Sequence, residues 1–231
     1  WALSLSLAPG LYQEHAATIA NWLGGGVLSS YCYNSTYELS SSQFPSSAFH
    51  SNCDSYSSSL TIMRLSNGKV IGGYVTVPWK NTGGDTYSRA PGSFLFSITN
   101  DYKHSLINDN SAVAMLGSPN YGPTFGGGHD LTIGPAGSDM RTGYCRLGLS
   151  YSCREGYSGT ACDNDFCGSS TRNPSWQVEE LEVWVDMTYP QPSLPPPSLS
   201  PLSPPMLPPS PPSPSPPPPT PSPPPPPSPP P

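Results

Sequence analysis

The sequence predicts a mainly β (α+β) domain, a two-sheet sandwich with peripheral helices, followed by a polyproline II rod. Three observations carry this reading. Short apolar runs of four to eight residues recur between turn signals from Leu60 onward, the pattern of strands in a sandwich. One stretch, Leu11–Leu23, has helical spacing, with Leu11, His15, Ile19, Trp22 and Leu23 on one face. At Pro190 the composition changes abruptly: the last 42 residues hold 26 prolines, nine serines, one threonine and no charged residue.

The elements follow in order. Ala2–Leu7 alternates apolar and polar residues, which predicts a short strand or connector over residues 1–10, open to pairing with a neighbouring chain. Pro9-Gly10 breaks the chain, the helix runs from Leu11, and Gly24-Gly25-Gly26 ends it. His15 on its apolar face reads as a packed or half-exposed side chain. Leu60–Leu65 turns at Asn67-Gly68 into Val70–Val77, a favoured hairpin dipeptide between two strands. Ser93–Ile98, Val113–Leu116, Leu131–Ile133 and Val178–Val185 complete the strands. In the last, Val178, Leu181, Val183 and Val185 face one way and Glu180, Glu182, Trp184 and Asp186 the other, with a break at Glu179. Together these elements form one domain, 11–189, too short for two well-packed ones.

Charge and cysteine usage limit the function classes. The net charge is −6 and every charged side chain precedes residue 190, which argues against nucleic acid as a partner. Nothing approaches the roughly 18 consecutive apolar residues of a membrane span. The six cysteines fall into two groups, Cys32 with Cys53, and Cys145, Cys153, Cys162 and Cys167 in a Cys-rich loop at 145–167. Zinc would favour two close Cys-x-x-Cys pairs, which these spacings do not supply. Disulfides are expected instead, Cys32 with Cys53 as nearest partners and two bridges among the other four, whose pairing spacing leaves open. Asn34-Ser35-Thr36 is an N-glycosylation sequon, expected on an exposed turn. The chain starts at Trp1 rather than Met, as expected of a processed secretory protein or of a fragment. An extracellular location follows from these features together.

Candidate chemistry is thin. His50, Cys53 and Asp54 have the spacing of a helical turn, but a secreted Cys53 is expected in a disulfide rather than as a thiolate. His129-Asp130 lacks a Gly-x-Ser-x-Gly partner, and Gly126-Gly127-Gly128 lacks the Lys-Ser/Thr of a phosphate-binding loop. Asp139, Asp163 and Asp165 read as solvated acidic residues, since Asp163-Asn164-Asp165 is too short for an EF-hand loop. Phe49, Trp79, Phe94, Phe96 and Phe125 read as core aromatics. No catalytic residue, metal site or cofactor is expected.

Six blocks, in order, resemble the TLDc domain over about residues 11–186. They are the helix Glu14–Leu23; Ala48–Asp54 with its Phe-His-x-x-Cys-Asp pattern; Gly72-Gly73-Tyr74 with Trp79; Phe94–Ser97; Gly122–Leu131; and Glu180–Trp184. The resemblance implies a two-sheet sandwich with peripheral helices. It also implies a family that is mostly intracellular, associated with oxidation resistance and with binding the vacuolar proton pump, with no established nucleophile or metal site. The extra cysteines and the tail depart from that pattern. Cys153–Cys162 is similar to the closing Cys-x-x-Gly-aromatic-x-Gly-x-x-Cys of an EGF-like module, here read as a disulfide-pinned loop.

The tail, 190–231, cannot form helix or sheet, because proline fixes φ and lacks an N–H. As polyproline II it would span about 130 Å. Its Ser-Pro and poly-proline runs resemble extensins and the hydroxyproline-rich glycoproteins of plant walls, green-algal matrix and flagellar surfaces. The resemblance implies hydroxylation or O-glycosylation at Ser213, Ser215, Pro216, Pro217, Pro218, Pro219, Thr220, Ser222, Pro223, Pro224, Pro225, Pro226, Pro227 and Ser228. The function expected is a secreted structural glycoprotein, a self-assembling subunit of a fibril, flagellar appendage or wall layer, partnered by its own copies and by covalent glycans. The alternatives are a carbohydrate- or surface-binding module on a rigid stalk and, more remotely, an oxidation-protective protein. If the secretory reading holds, peptide mapping of native material after enzymatic deglycosylation should show Asn34 converted to Asp. Unmodified Asn34 would remove that support.

Overall fold

A computed structural model describes residues 10–34, 45–79, 83–135, 139–169 and 176–186. The chain divides into a unit of residues 1–192 and a second of residues 193–231. The expected strand Ala2–Leu7 and the proline-rich tail lie outside the described residues.

The elements are α1 (Leu11–Glu14), α2 (Ala16–Trp22), β1 (Ser30–Asn34), α3 (Ser46–Cys53), β2 (Ser59–Leu65), β3 (Val70–Val75), β4 (Thr86–Ser88), β5 (Phe94–Ser97), β6 (Tyr102–Ser105), β7 (Met115–Gly117), β8 (Thr124–Phe125), β9 (Leu131–Ile133), β10 (Thr142–Cys145), α4 (Gly159–Cys167) and β11 (Trp176–Val185). All strand pairs are antiparallel, in the order β4-β7-β8-β9-β10-β11-β2-β3-β5-β6, with β1 also on β11. The fold is therefore mostly β with a few helices.

β11 holds this path together. Its first residues, Trp176 and Gln177, pair with β10. From Val178 onward it pairs with β2, and Ser30–Asn34 of β1 lines its other edge. The β2–β11 register slips between Val178 and Glu180. The broken alternation at Glu179 is this bulge, an extra residue that lets the strand bend out of one ladder and into the other.

β3 is the thin centre of the molecule. A methyl group on Gly72 would lie 2.1 Å from the Thr61 carbonyl oxygen and 2.5 Å from Phe96, and one on Gly73 would lie 2.7 Å from Phe125 and Leu95. The two glycines let Phe96 and Phe125 close on opposite faces of one strand. On the Phe125 face, Met63, Leu65, Ile71 and Leu95 pack with Met115, Phe125, Leu131 and Ile133, all at or near zero exposure. There Trp79 donates to the Ser59 hydroxyl at 2.7 Å and stands edge-on to Phe49 and Phe125. On the Phe96 face, Leu60, Ile62, Phe94 and Trp184 pack under Leu11, Tyr12 and Ile19.

Three expectations change. The Leu11–Leu23 helix is two segments broken at His15, whose φ of −118° leaves the helical region; His15 itself is half-buried. Ser46–Cys53 is a helix, extending the helical turn that the His50–Asp54 spacing allows, and the Cys-rich segment 145–167, expected as loop, includes α4, closed by Gly168 at φ 78°. Ser46, Ser47 and Ser51 in α3, and Gly159, Thr160 and the Asp163-Asn164-Asp165 run in α4, weaken intrinsic helix preference. The two helices form because Phe49 and Cys53, or Phe166 and Cys167, drop onto the core. Asn34 is the last residue of β1, opposite Glu182 and partly buried, rather than on a turn.

Glu182 shows what the alternation of β11 conceals. It is fully buried. Its Oε1 accepts the Leu11 N–H at 3.0 Å, and its Oε2 accepts the Tyr12 N–H at 3.0 Å and the Trp184 indole N–H at 2.7 Å. The carboxylate thus takes up two of the donors that a helix start leaves without partners. Tyr12 stacks on Trp184 at 4.5 Å, and its hydroxyl accepts the Leu28 N–H. Glu182→Ala strands three buried donors at about 1–3 kcal/mol for each group left unpaired, part of it recovered by water. A net loss of about 3 kcal/mol is expected by chemical denaturation, with Glu182→Gln losing less because it keeps one acceptor oxygen.

Candidate functional site: the glycine loop and the disulfide-pinned segment

The most specific sequence block, Gly122–Leu131, folds around the buried carboxylate of Asp130. Gly126 follows β8 at φ 83°, a conformation that suits glycine, and a methyl group there would lie 2.0 Å from Asp130 Oδ2. The chain then turns through His129, at φ 62°, into β9. Asp130 reaches back under the turn to the segment after β10. Its Oδ1 accepts N–H groups from Gly148, Leu149, Ser150 and Tyr151 at 3.0–3.2 Å, and its Oδ2 a further contact from Ser150. Burial lifts the carboxyl above the usual carboxylate range, and the four amides pull the other way. Tyr151 donates its hydroxyl to the Ala114 carbonyl at 2.8 Å, burial and the neighbouring Asp130 holding it protonated.

The held segment also closes a sheet edge. Ile107 donates its N–H to Ser150 O, Ser152 donates to Ser105 O, and Leu106 bridges Tyr151. Residues 150–152 thus run beside the chain leaving β6 and remove part of an edge open to unwanted pairing. His104, fully buried on β6, pairs Nδ1 with the Ser152 carbonyl at 2.8 Å.

Two bridges pin the same region, Cys145–Cys167 and, nested within it, Cys153–Cys162; Cys32–Cys53 ties β1 to α3. All six cysteines are paired. The Cys32–Cys53 pairing is the one expected from proximity, and the order of the other two, left open by spacing, is now settled. Closing a loop of about 20 residues is worth about 3 kcal/mol.

The other candidate residues are engaged in holding the fold. Cys53 is a bridge sulfur, and His50 clamps α3: Nδ1 meets Asp54 Oδ1 at 2.8 Å and Nε2 the Tyr121 carbonyl at 2.9 Å. His129 turns away from Asp130 to the Tyr144 hydroxyl at 2.6 Å, with Tyr121 edge-on. Ser150 accepts the Gly127 N–H at 3.0 Å, so these residues form no Asp–His–Ser relay. Asp163 accepts the Leu147 N–H at 2.7 Å, Asp165 pairs with Arg154 at 2.6 Å, and Asp139 accepts the Arg141 N–H at 2.9 Å. Among the described residues, no three metal-ligating side chains converge, and no helix is long and apolar enough to cross a membrane.

The outer surface of the glycine loop was not legible in sequence. Gly127 lies against Val113 and Gly128 against Leu149; a methyl group on either would lie 2.7 Å or less from that side chain. The Tyr87 hydroxyl donates to the Gly127 carbonyl, and Ile107 is tied to Ser150. Tyr87, Ile107, Val113 and Leu149 are 41, 60, 36 and 48 % exposed. Four of the exposed large apolar side chains therefore surround one loop, rather than being scattered singly.

Two histidines give the stability opposed pH limbs. Burial pulls His50 down, but the Asp54 carboxylate and the carbonyls of Tyr121 and Ser118 outweigh it, so its pKa rises above 6.5. Its contribution is full below 6.5 and is lost as pH climbs through the raised value. Burial among Tyr102 and Phe166 lowers His104 to about 4. Its contribution is full above 6.5 and is lost as pH falls toward 4. Denaturation free energies measured across this range should show both limbs, His50→Gln flattening the upper and His104→Leu the lower.

The TLDc domain profile matches residues 11–185. No curated protein matches the chain significantly.

Proposed function

Because the chain belongs to the TLDc domain family, we propose that its two ladders form the two-sheet sandwich of a TLDc-like domain adapted to an extracellular, structural role. The protein is a secreted glycoprotein that self-assembles into a fibril, flagellar appendage or wall layer. The exposed apolar rim of the glycine loop, Tyr87, Ile107, Val113 and Leu149, carries the proposal as the surface that meets a neighbouring copy. Its backing is stiff: Asp130 and the Cys145–Cys167 and Cys153–Cys162 bridges hold it in place, so little conformational entropy is lost on contact.

Two further observations support the reading. Three disulfides suit an oxidising compartment. The proline tail, with no charge and few backbone donors, cannot fold on itself, and as a glycosylated extensin-like rod it serves as spacer or packing layer. N-glycosylation at Asn34, O-glycosylation or hydroxylation from Ser213 to Ser228, and strand donation by Ala2–Leu7 belong to the same proposal. A repeating heterologous contact builds an open filament.

Electron microscopy of the full chain with native glycans should show fibrils of regular repeat. Leu149→Glu, or deletion of residues 1–8 or 190–231, should shorten or abolish them. A monodisperse monomer at high concentration overturns the proposal.

A further inference from the structure

On the opposite face of β3 and β5, the side covered by α2, a pocket of about 220 Å³ opens between the end of α2, the start of β2, and β3, β5 and β6. We propose that this pocket binds one uncharged sugar ring of a glycan. The inference is independent of the assembly reading and rests on different residues.

The walls are two half-buried aromatics fixed from behind. Trp22, at the end of α2, packs against Phe96 with centroids 5.5 Å apart, and Tyr74 on β3 packs against Phe94 at 5.4 Å. Each ring is backed by a core phenylalanine while also lining the pocket. Lys103 is likewise fixed. It donates to the Trp22 carbonyl at 3.0 Å and lies 4.1 Å from the centre of the Phe94 ring. An ammonium has three N–H groups and only one is used on that carbonyl. Asp186, beyond β11, and Ser58, before β2, line the same pocket.

This combination selects the ligand. Aromatic walls favour a flat apolar face, while the remaining N–H groups of the Lys103 ammonium favour a ligand with oxygen acceptors around its rim. A pyranose or furanose has both properties, with C–H groups on its faces and hydroxyls at its edge. The chain's net charge of −6 disfavours anionic sugars. The volume is below the roughly 300–1,000 Å³ of sites for drug-sized molecules, so the pocket takes one ring rather than a chain. Fixing Trp22, Tyr74 and Lys103 in advance limits the entropy lost on binding.

The test uses the full chain after enzymatic deglycosylation, so that its own sugars do not compete. Methyl glycosides of glucose, galactose, mannose, xylose and arabinose are titrated by calorimetry and by tryptophan fluorescence. At least one should bind saturably and perturb the emission. Lys103→Met, which keeps the apolar stem, and Tyr74→Ala should each weaken binding about tenfold or more; Trp22→Phe should keep partial affinity and lose the fluorescence response. Thermal unfolding of each variant guards against misfolding. Saturable binding that is unchanged in Lys103→Met and Tyr74→Ala, or no binding of any of the five glycosides to the folded chain, overturns the proposal. The source of the sugar is read separately, by comparing capture of the deglycosylated chain on immobilised glycosylated copies and on immobilised neutral polysaccharide. Fibrils without sugar binding, or sugar binding without fibrils, would separate this inference from the assembly proposal.

Discussion

One strand has to serve two ladders. β11 starts on β10, bends at the Glu179 bulge, and ends between β1 and β2. Its partners come from residues 30–34, 59–65 and 142–143, so the domain cannot close until its last strand is in place. Such closure brings distant segments together before their contacts repay the loop entropy. Everything else sits on this insertion: both core clusters draw side chains from β11, and α1 rests on its far face.

Buried carboxylates hold the irregular parts. Glu182 starts α1, Asp130 gathers four amides of the 148–151 segment, and Asp163 fixes Leu147. In each case backbone N–H groups that would otherwise be buried without acceptors receive a carboxyl oxygen. The same device explains why side chains with the look of chemistry, Asp130 and His50 among them, serve architecture. Their polar atoms point into the protein and are satisfied there. The glycine-loop rim on one side is apolar, and the pocket on the other is walled by Trp22 and Tyr74.

β4, β6 and β8 escaped the sequence, but the strands at Leu60–Leu65, Val70–Val77, Ser93–Ile98, Val113–Leu116 and Leu131–Ile133, the Asn67–Gly68 turn, the break in β11 and the Cys32–Cys53 bridge were legible in it. Each depends on neighbours in sequence or on a limited choice of partners, and periodicity, turn chemistry and cysteine spacing report such things directly. Two of the family blocks, Gly72-Gly73-Tyr74 and Gly122–Leu131, carry glycines that β3 and the 126–128 turn require for close approach. Only the tertiary structure decided the rest. α3 and α4 are poor helices alone and form because disulfides and the core hold their apolar sides. The order of the Cys145, Cys153, Cys162 and Cys167 pairing needed the position of α4. Glu182 occupies what alternation marks as an outer face, yet it is buried, because its partners lie 170 and 171 residues away in α1. Alternation tells which side of a strand a residue faces; what covers that side is set by segments far along the chain.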